Sequence, residues 1–177
     1  GYPETAVFAG PNGYKELFAG DCGIVILATP LSFRPRHFAA AVAAGKHVFA
    51  EKGVAVDAPG VRLFIETARE AARKHLTVVA GTQRRHACRF RQQAKALADG
   101  TLKPILGGSV YWNGAVPWIR GRKPGMTDAD YLADNWLNFE ELSGDHICEQ
   151  HIHQLDVANW FIGRYPVSVN AFGMRAR

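Results

Sequence analysis

His146, Glu149, His153 and Asp156 follow one another at spacings of +3, +4 and +3 residues. On a regular helix, which advances ~100° per residue, the four fall within an arc of about 80°. Two imidazoles and two carboxylates then share one stripe, opposite Ile147, Ile152, Leu155, Ala158 and Ile162. Three chemistries fit it. The stripe can be a polar seam in which Asp and Glu fix a histidine tautomer. It can hold a divalent metal, since His146, Glu149 and His153 have helical ligand spacing, although no distant Cys or His cluster offers the missing ligands. It can perform acid-base catalysis, His153 exchanging a proton while a carboxylate one turn away orients its ring or raises its basicity. His151 lies on the other side of a regular helix, so His151 and His153 are not a chelate. His153 is preferred as the base because carboxylates stand at −4 and +3, which favours its protonated form.

A second group of reactive residue types is Glu51-Lys52-Gly53, at the carboxyl end of a predicted parallel strand. That edge is where open α/β sheets bind ligands. A lysine there is either solvated or a cation that favours a developing alkoxide. Thr29-Pro30 ends the preceding strand and Gln83 follows the next, so three strand ends present polar groups on one rim.

The elements that must carry these residues alternate. Residues 22–29 form an uninterrupted apolar run, as expected of a strand covered on both faces. Residues 35–45 read as a helix, 47–51 as a strand, and Asp57 as the N-cap of a helix reaching His75 with Leu63, Ala68, Ala71 and Ala72 inward. A strand over 76–80 and a helix over 87–98 complete a strand-helix alternation that implies a parallel sheet. The fold class is therefore α/β, a partial doubly wound, Rossmann-like sheet over 1–102. From Lys103 the texture changes: an aromatic strand is expected over 109–113, then an irregular functional loop over 115–135 holding Trp118 and Arg120. Residues 103–177 are read as the start of an α+β substrate domain.

The 177 residues are 47% apolar and 21% charged, ordinary globular usage. The formal charge of +5 is modest. Its dense basic run, residues 84–91, reads as a solvated face, so nucleic acid is not an expected partner. Cys22, Cys88 and Cys148 are odd in number and lack a CxxC, arguing against a disulfide framework or a zinc site. They read as reduced, mostly packed thiols. No apolar run approaches the ~18 residues of a membrane-spanning helix. Residues 1–5 carry neither a starting Met nor a targeting pattern, so a segment from within a longer protein is expected.

Taken in order, Ile24 to Pro30, His37, Ala44 to Lys52, Gln83-Arg84, Asn135-Trp136 and Glu149-Gln-His-Ile-His-Gln-Leu-Asp156, with Trp160 and Gly163, resemble the Gfo/Idh/MocA family of NAD(P)-dependent oxidoreductases. The resemblance implies that Thr29, Pro30 and His37 line the nicotinamide side of a dinucleotide groove, joined by Gln83. It implies that Glu51 and Lys52 meet the nicotinamide ribose and the substrate, and that Trp118 and Arg120 match a Trp-x-Arg pair closing on the nicotinamide. Glu149 and His153 match the family's carboxylate-x-x-x-His pair, with Glu149 orienting the histidine. Asp156 and Arg120 would bind substrate.

The implied activity is hydride transfer between NAD or NADP and a hydroxyl-bearing carbon of a sugar, cyclitol or related polyol, with Lys52, His153 and Glu149 catalytic and no metal. An NAD-dependent glycosidase and a non-catalytic sugar- or nucleotide-binding protein are the alternatives. A homo-oligomer, dimer or tetramer, built through the carboxyl-terminal sheet of the intact parent is implied, in the cytoplasm or alternatively the periplasm, without a membrane partner. Gly53 replaces the family's usual Pro, leaving the geometry of that turn open. No GxGxxG occurs, so the phosphate-binding turn is expected before residue 1.

Overall fold

The computed structural model describes residues 7–115 and 117–174; the segment 1–5 lies outside them. In chain order it contains α1 (Gly13–Ala19), β1 (Ile24–Leu27), α2 (Arg34–Ala43), β2 (His47–Glu51), α3 (Ala58–Arg73), β3 (Val78–Gly81), α4 (Cys88–Ala98), α5 (Asp128–Asp134), α6 (Glu140–Ser143) and α7 (Ile152–Ile162). The three strands form one parallel sheet in the order β1-β2-β3. Ile24 pairs with His47 and Leu27 with Ala50, while Val48 pairs with Val78 and Glu51 with Gly81. This register brings the ends of all three strands to one edge. The alternation read from the sequence is borne out as an α/β, Rossmann-like sheet.

The core lies on one side of that sheet. Val25, Leu27, Val48 and Ala50 pack against Phe38, Ala41 and Val42 of α2 and Phe64 and Ala71 of α3. The Phe38 and Phe64 rings stack at 4.2 Å. Asp57 caps α3 as predicted, accepting from the Gly60 N–H at 2.7 Å. Of the residues expected to face inward, Ala71 is buried and Ala68 packs against the core, while Leu63 and Ala72 are exposed and Phe64 and Thr67 take the inward positions. The expectation that both faces of β1 are covered is also corrected. Ile24 and Ile26 are 68% and 71% exposed, because the described helices pack on the Val25–Leu27 face alone.

Residues 109–113 form no strand. No described strand offers them a ladder; the segment packs on α7, where Gln154 donates to the Tyr111 carbonyl at 3.0 Å and Trp112 meets His153. The expected irregular stretch over 115–135 is corrected at its end, where residues Asp128–Asp134 form α5 behind a capping box. Thr127 Oγ1 accepts from the Asp130 N–H at 3.1 Å and Asp130 Oδ2 from the Thr127 N–H at 3.2 Å. The helix expected over 145–162 is in two parts, a π-turn over Ile147–His151 running into α7. Its apolar residues Ile147, Leu155 and Ile162 are exposed, and Glu149, His153 and Val157 are buried instead.

Candidate active site

Arg34 organises the sheet edge. The residue is 3% exposed, and its guanidinium donates from Nη1 to the carbonyls of Glu51 at 2.9 Å, Lys52 at 2.6 Å and Gly53, and from Nη2 to that of Thr29. The ends of β1 and β2 are thereby tied to one cation, whose proton affinity burial lowers. Sequence reasoning missed this residue. Its signal was a cation in the first turn of a helix, where the macrodipole disfavours it unless something else holds it there.

Lys52 leaves β2 at this edge. Its ammonium donates to the Glu149 carbonyl at 2.5 Å and to Glu149 Oε1, with side-chain exposures of 14% and 11% for the pair. An ammonium carries three donors, and these bonds use two. The third is available to a ligand oxygen. The Glu149 carboxylate thus holds Lys52; the expectation that it orients His153 is corrected. Gly53 answers the question its sequence raised: its φ is +73°, a conformation proline cannot adopt, and the described residues contain no cis peptide. A Cβ there would stand 2.4 Å from Leu31 Cδ2 and 3.0 Å from the Cys148 carbonyl. The chain passes too close for any side chain.

His153 is 8% exposed and stacks on Trp112, with ring centroids 5.6 Å apart. Among the described residues neither of its ring nitrogens has a hydrogen-bond partner, so both can serve a ligand. Its proton affinity is lowered, against the sequence-based expectation. Burial is the first cause, followed by the nearby cations Lys52 and Arg84; Glu51 and Asp156 oppose them and lose. Of the two flanking carboxylates, Glu149 is engaged by Lys52. Asp156 is held by Arg85 through Nε at 3.0 and 2.9 Å and Nη2 at 2.8 Å. That fork raises the proton affinity of Arg85, which also stacks over Trp160 at 5.3 Å. Arg84 and Arg85 were read as a solvated face; Arg84 instead joins Lys52, Thr82, Ile152, His153 and Asp156 in lining one cleft.

Of the residues singled out in the sequence, Lys52, His153 and Asp156 therefore meet in that cleft, with Glu149 behind Lys52. Thr29 Oγ1 lies 3.2 Å from His37 Nδ1, and the His37 ring sits between Tyr14 at 4.3 Å and Phe33 at 6.0 Å. Burial and Arg36 lower its proton affinity, favouring the neutral ring. Pro30 begins the turn into α2, its carbonyl accepting from the Phe33 N–H at 3.1 Å. Glu51 Oε2 accepts from the Lys52 N–H at 3.1 Å. Gln83 is exposed in the turn after β3.

Trp118 and Arg120 do not line the cleft. Arg120 is held at the end of α5, where Asn135, 1% exposed, accepts from its N–H at 2.7 Å and Asp134 pairs with it at 2.8 Å, and the Trp118 carbonyl accepts from Asn138 Nδ2 at 2.9 Å. His151 is not opposite His146. The π-turn adds a residue to the repeat, so positions i and i+5 align, and the two Nδ1 atoms meet at 2.7 Å. The four-residue stripe is thus split, with His146 outside the cleft. Among the described residues no group of three or more His, Cys, Asp or Glu could hold a metal ion. Cys22, Cys88 and Cys148 are free thiols, Cys88 being exposed, and no described helix is long and apolar enough to cross a membrane.

No family model matches the chain. An inositol 2-dehydrogenase from Rhizobium meliloti is 27% identical over 153 residues, 86% of this chain and 40% of that protein. An uncharacterized oxidoreductase from Streptococcus pneumoniae is 26% identical over 153 residues, 37% of its length. The chain thus spans about two fifths of the curated relatives it matches. Among solved structures, a scyllo-inositol dehydrogenase from Lactobacillus casei superposes with a TM-score of 0.59 at 19% identity, covering 85% of this chain and 39% of that one. An aldose-aldose oxidoreductase from Caulobacter crescentus gives 0.63 at 20%, covering 89% and 42%. Over most of its length, in sequence and in fold, this chain resembles the Gfo/Idh/MocA type of oxidoreductase.

Proposed function

We propose that the protein is an oxidoreductase that moves a hydride between NAD or NADP and a hydroxyl-bearing carbon of a polyol or sugar. One observation carries this reading: a single cleft joins a lysine with a spare donor, at the carboxyl end of a parallel strand, to an imidazole held toward its neutral form. The names of the relatives, an inositol 2-dehydrogenase and oxidoreductases, agree with it.

The edge formed by Thr29, Pro30, Glu51 and Lys52 suits the nicotinamide end of a dinucleotide, since parallel sheets bind such groups beyond their carboxyl ends. The sequence has no GxGxxG, so none of its residues is assigned to the pyrophosphate. When bound, the nicotinamide supplies the acceptor for the hydride leaving the carbinol carbon. Lys52 donates its third N–H to the hydroxyl oxygen and stabilises the charge developing there. His153, neutral near pH 7, takes the hydroxyl proton, leaving a carbonyl product and an imidazolium. Glu149 keeps Lys52 aimed, and Arg85 holds the Asp156 side chain at the cleft wall.

The test is to express the complete reading frame and follow reduction of NAD+ and NADP+ with inositols, aldoses and alditols. Cofactor reduction stoichiometric with ketone formation is expected. Cleavage of glycosides without net cofactor reduction, or binding of polyols without turnover, would overturn the reading.

A further inference from the structure

A histidine base is ordinarily oriented by a third group bonded to its far ring nitrogen. His153 has no such group among the described residues, Glu149 being engaged by Lys52 and Asp156 by Arg85. The torsion that turns an imidazole about its own bond is broad, so the backbone alone does not aim the ring. Packing must do so. The ring that packs on it is Trp112, whose plane lies 25° from that of the imidazole with centroids 5.6 Å apart, an offset stack. Trp112 in turn belongs to the segment 109–113, which has no strand ladder to place it. Other contacts set its position. Gln154, next to His153 on α7, donates to the Tyr111 carbonyl at 3.0 Å. The Arg84 guanidinium lies 5.3 Å from the indole centroid. At Gly114 the chain passes the indole edge so closely that a Cβ would stand 3.0 Å from Trp112 Nε1.

We propose that Trp112 is the positioning residue of the base, its indole fixing the His153 imidazole in the cleft and shielding one face of it from water. The inference rests on the reading of His153 as the base and adds the group that aims it. A carboxylate bonded to the ring would orient it but favour the imidazolium; an indole orients it and favours the neutral form that can take a proton. The charges that face His153 are Lys52 and Glu51 from the end of β2, Arg84 from the turn after β3 and Asp156 from α7 itself. Arg84 rests on the rings of Trp112 and Phe90. Loss of the indole would therefore admit water to the imidazole and loosen a neighbouring cation. Both changes favour the protonated ring.

Titration of the ring by NMR, in the complete protein carrying isotope-labelled histidine, separates this inference from the activity on which it rests. The His153 signal is identified by its loss in His153→Asn. In the unaltered protein its ring protons should be shifted upfield by the indole and show cross-relaxation with it. In Trp112→Ala the His153 midpoint should rise toward the ordinary 6.5, and the acid limb of kcat/KM should rise with it. The kcat should fall about 10- to 100-fold, the cost of a misplaced base. Trp112→Phe, which keeps a ring to stack, should recover the lower midpoint and most of the rate. An unchanged midpoint in a folded Trp112→Ala, or a Trp112→Phe no better than Trp112→Ala, would overturn the assignment. If Trp112→Ala does not fold, absence of the indole's mark on the His153 signal of the unaltered protein would overturn it as well. A midpoint that rises in Trp112→Ala, in a protein without nicotinamide-linked turnover, would uphold the hold of Trp112 on His153 while refuting the oxidoreductase reading.

Discussion

The Lys52–Glu149 pair joins residues 97 positions apart and ties the sheet edge to the π-turn. With 14% and 11% side-chain exposure, neither charge can be rehydrated in place. Replacing Lys52 by Met strands the Glu149 carboxylate, whose Oε2 already lacks a partner. Replacing Glu149 by Leu leaves the ammonium with one main-chain carbonyl. Each single change should therefore cost about 3–5 kcal/mol in urea unfolding, the usual penalty for a widowed buried charge. The double variant leaves neither charge behind, so its loss should fall short of the two combined by a coupling energy of about 3 kcal/mol. Equilibrium unfolding of the four proteins measures that coupling. A value below about 0.5 kcal/mol, typical of an exposed pair, would refute the claim that this contact anchors the site.

Two further outcomes follow from single residues. Gly53→Ala combines a positive φ with contact against the fully buried Leu31, and should cost about 2–4 kcal/mol in the same unfolding assay; a neutral effect would mean the turn relaxes freely. His153, with its proton affinity lowered from the usual 6.5, binds a proton less readily folded than unfolded. Its contribution to stability is therefore intact above that value and is lost as pH falls below it. The acid limb of kcat/KM should likewise fall below 6.5, and should vanish with most of the rate in His153→Asn while persisting in His151→Asn; a limb above 6.5 in the unaltered enzyme would contradict the burial argument.

The parallel sheet was legible because its signals are local: apolar runs, an N-cap at Asp57 and short connections. The pairing of Lys52 with Glu149 was not, since periodicity within one element says nothing of contacts across 97 residues. Angular arithmetic on 145–162 assumed a regular repeat, and one π-turn sufficed to bring His151 onto His146. Charges read one by one also misled. The carboxylates beside His153 looked like partners until Lys52 and Arg85 claimed them, and the basic run looked solvated until Trp112 and Phe90 covered Arg84. The Thr127–Asp130 box was readable and marks α5 within a stretch otherwise taken as loop.

The most direct test of the account is the initial rate of nicotinamide reduction by a polyol, measured for the complete protein and for Lys52→Ala at saturating cofactor. Loss of one preorganised donor to the developing alkoxide should lower kcat by about 10²-fold or more, with cofactor affinity changing far less. Turnover in Lys52→Ala equal to that of the unaltered protein would contradict the placement of the chemistry in this cleft.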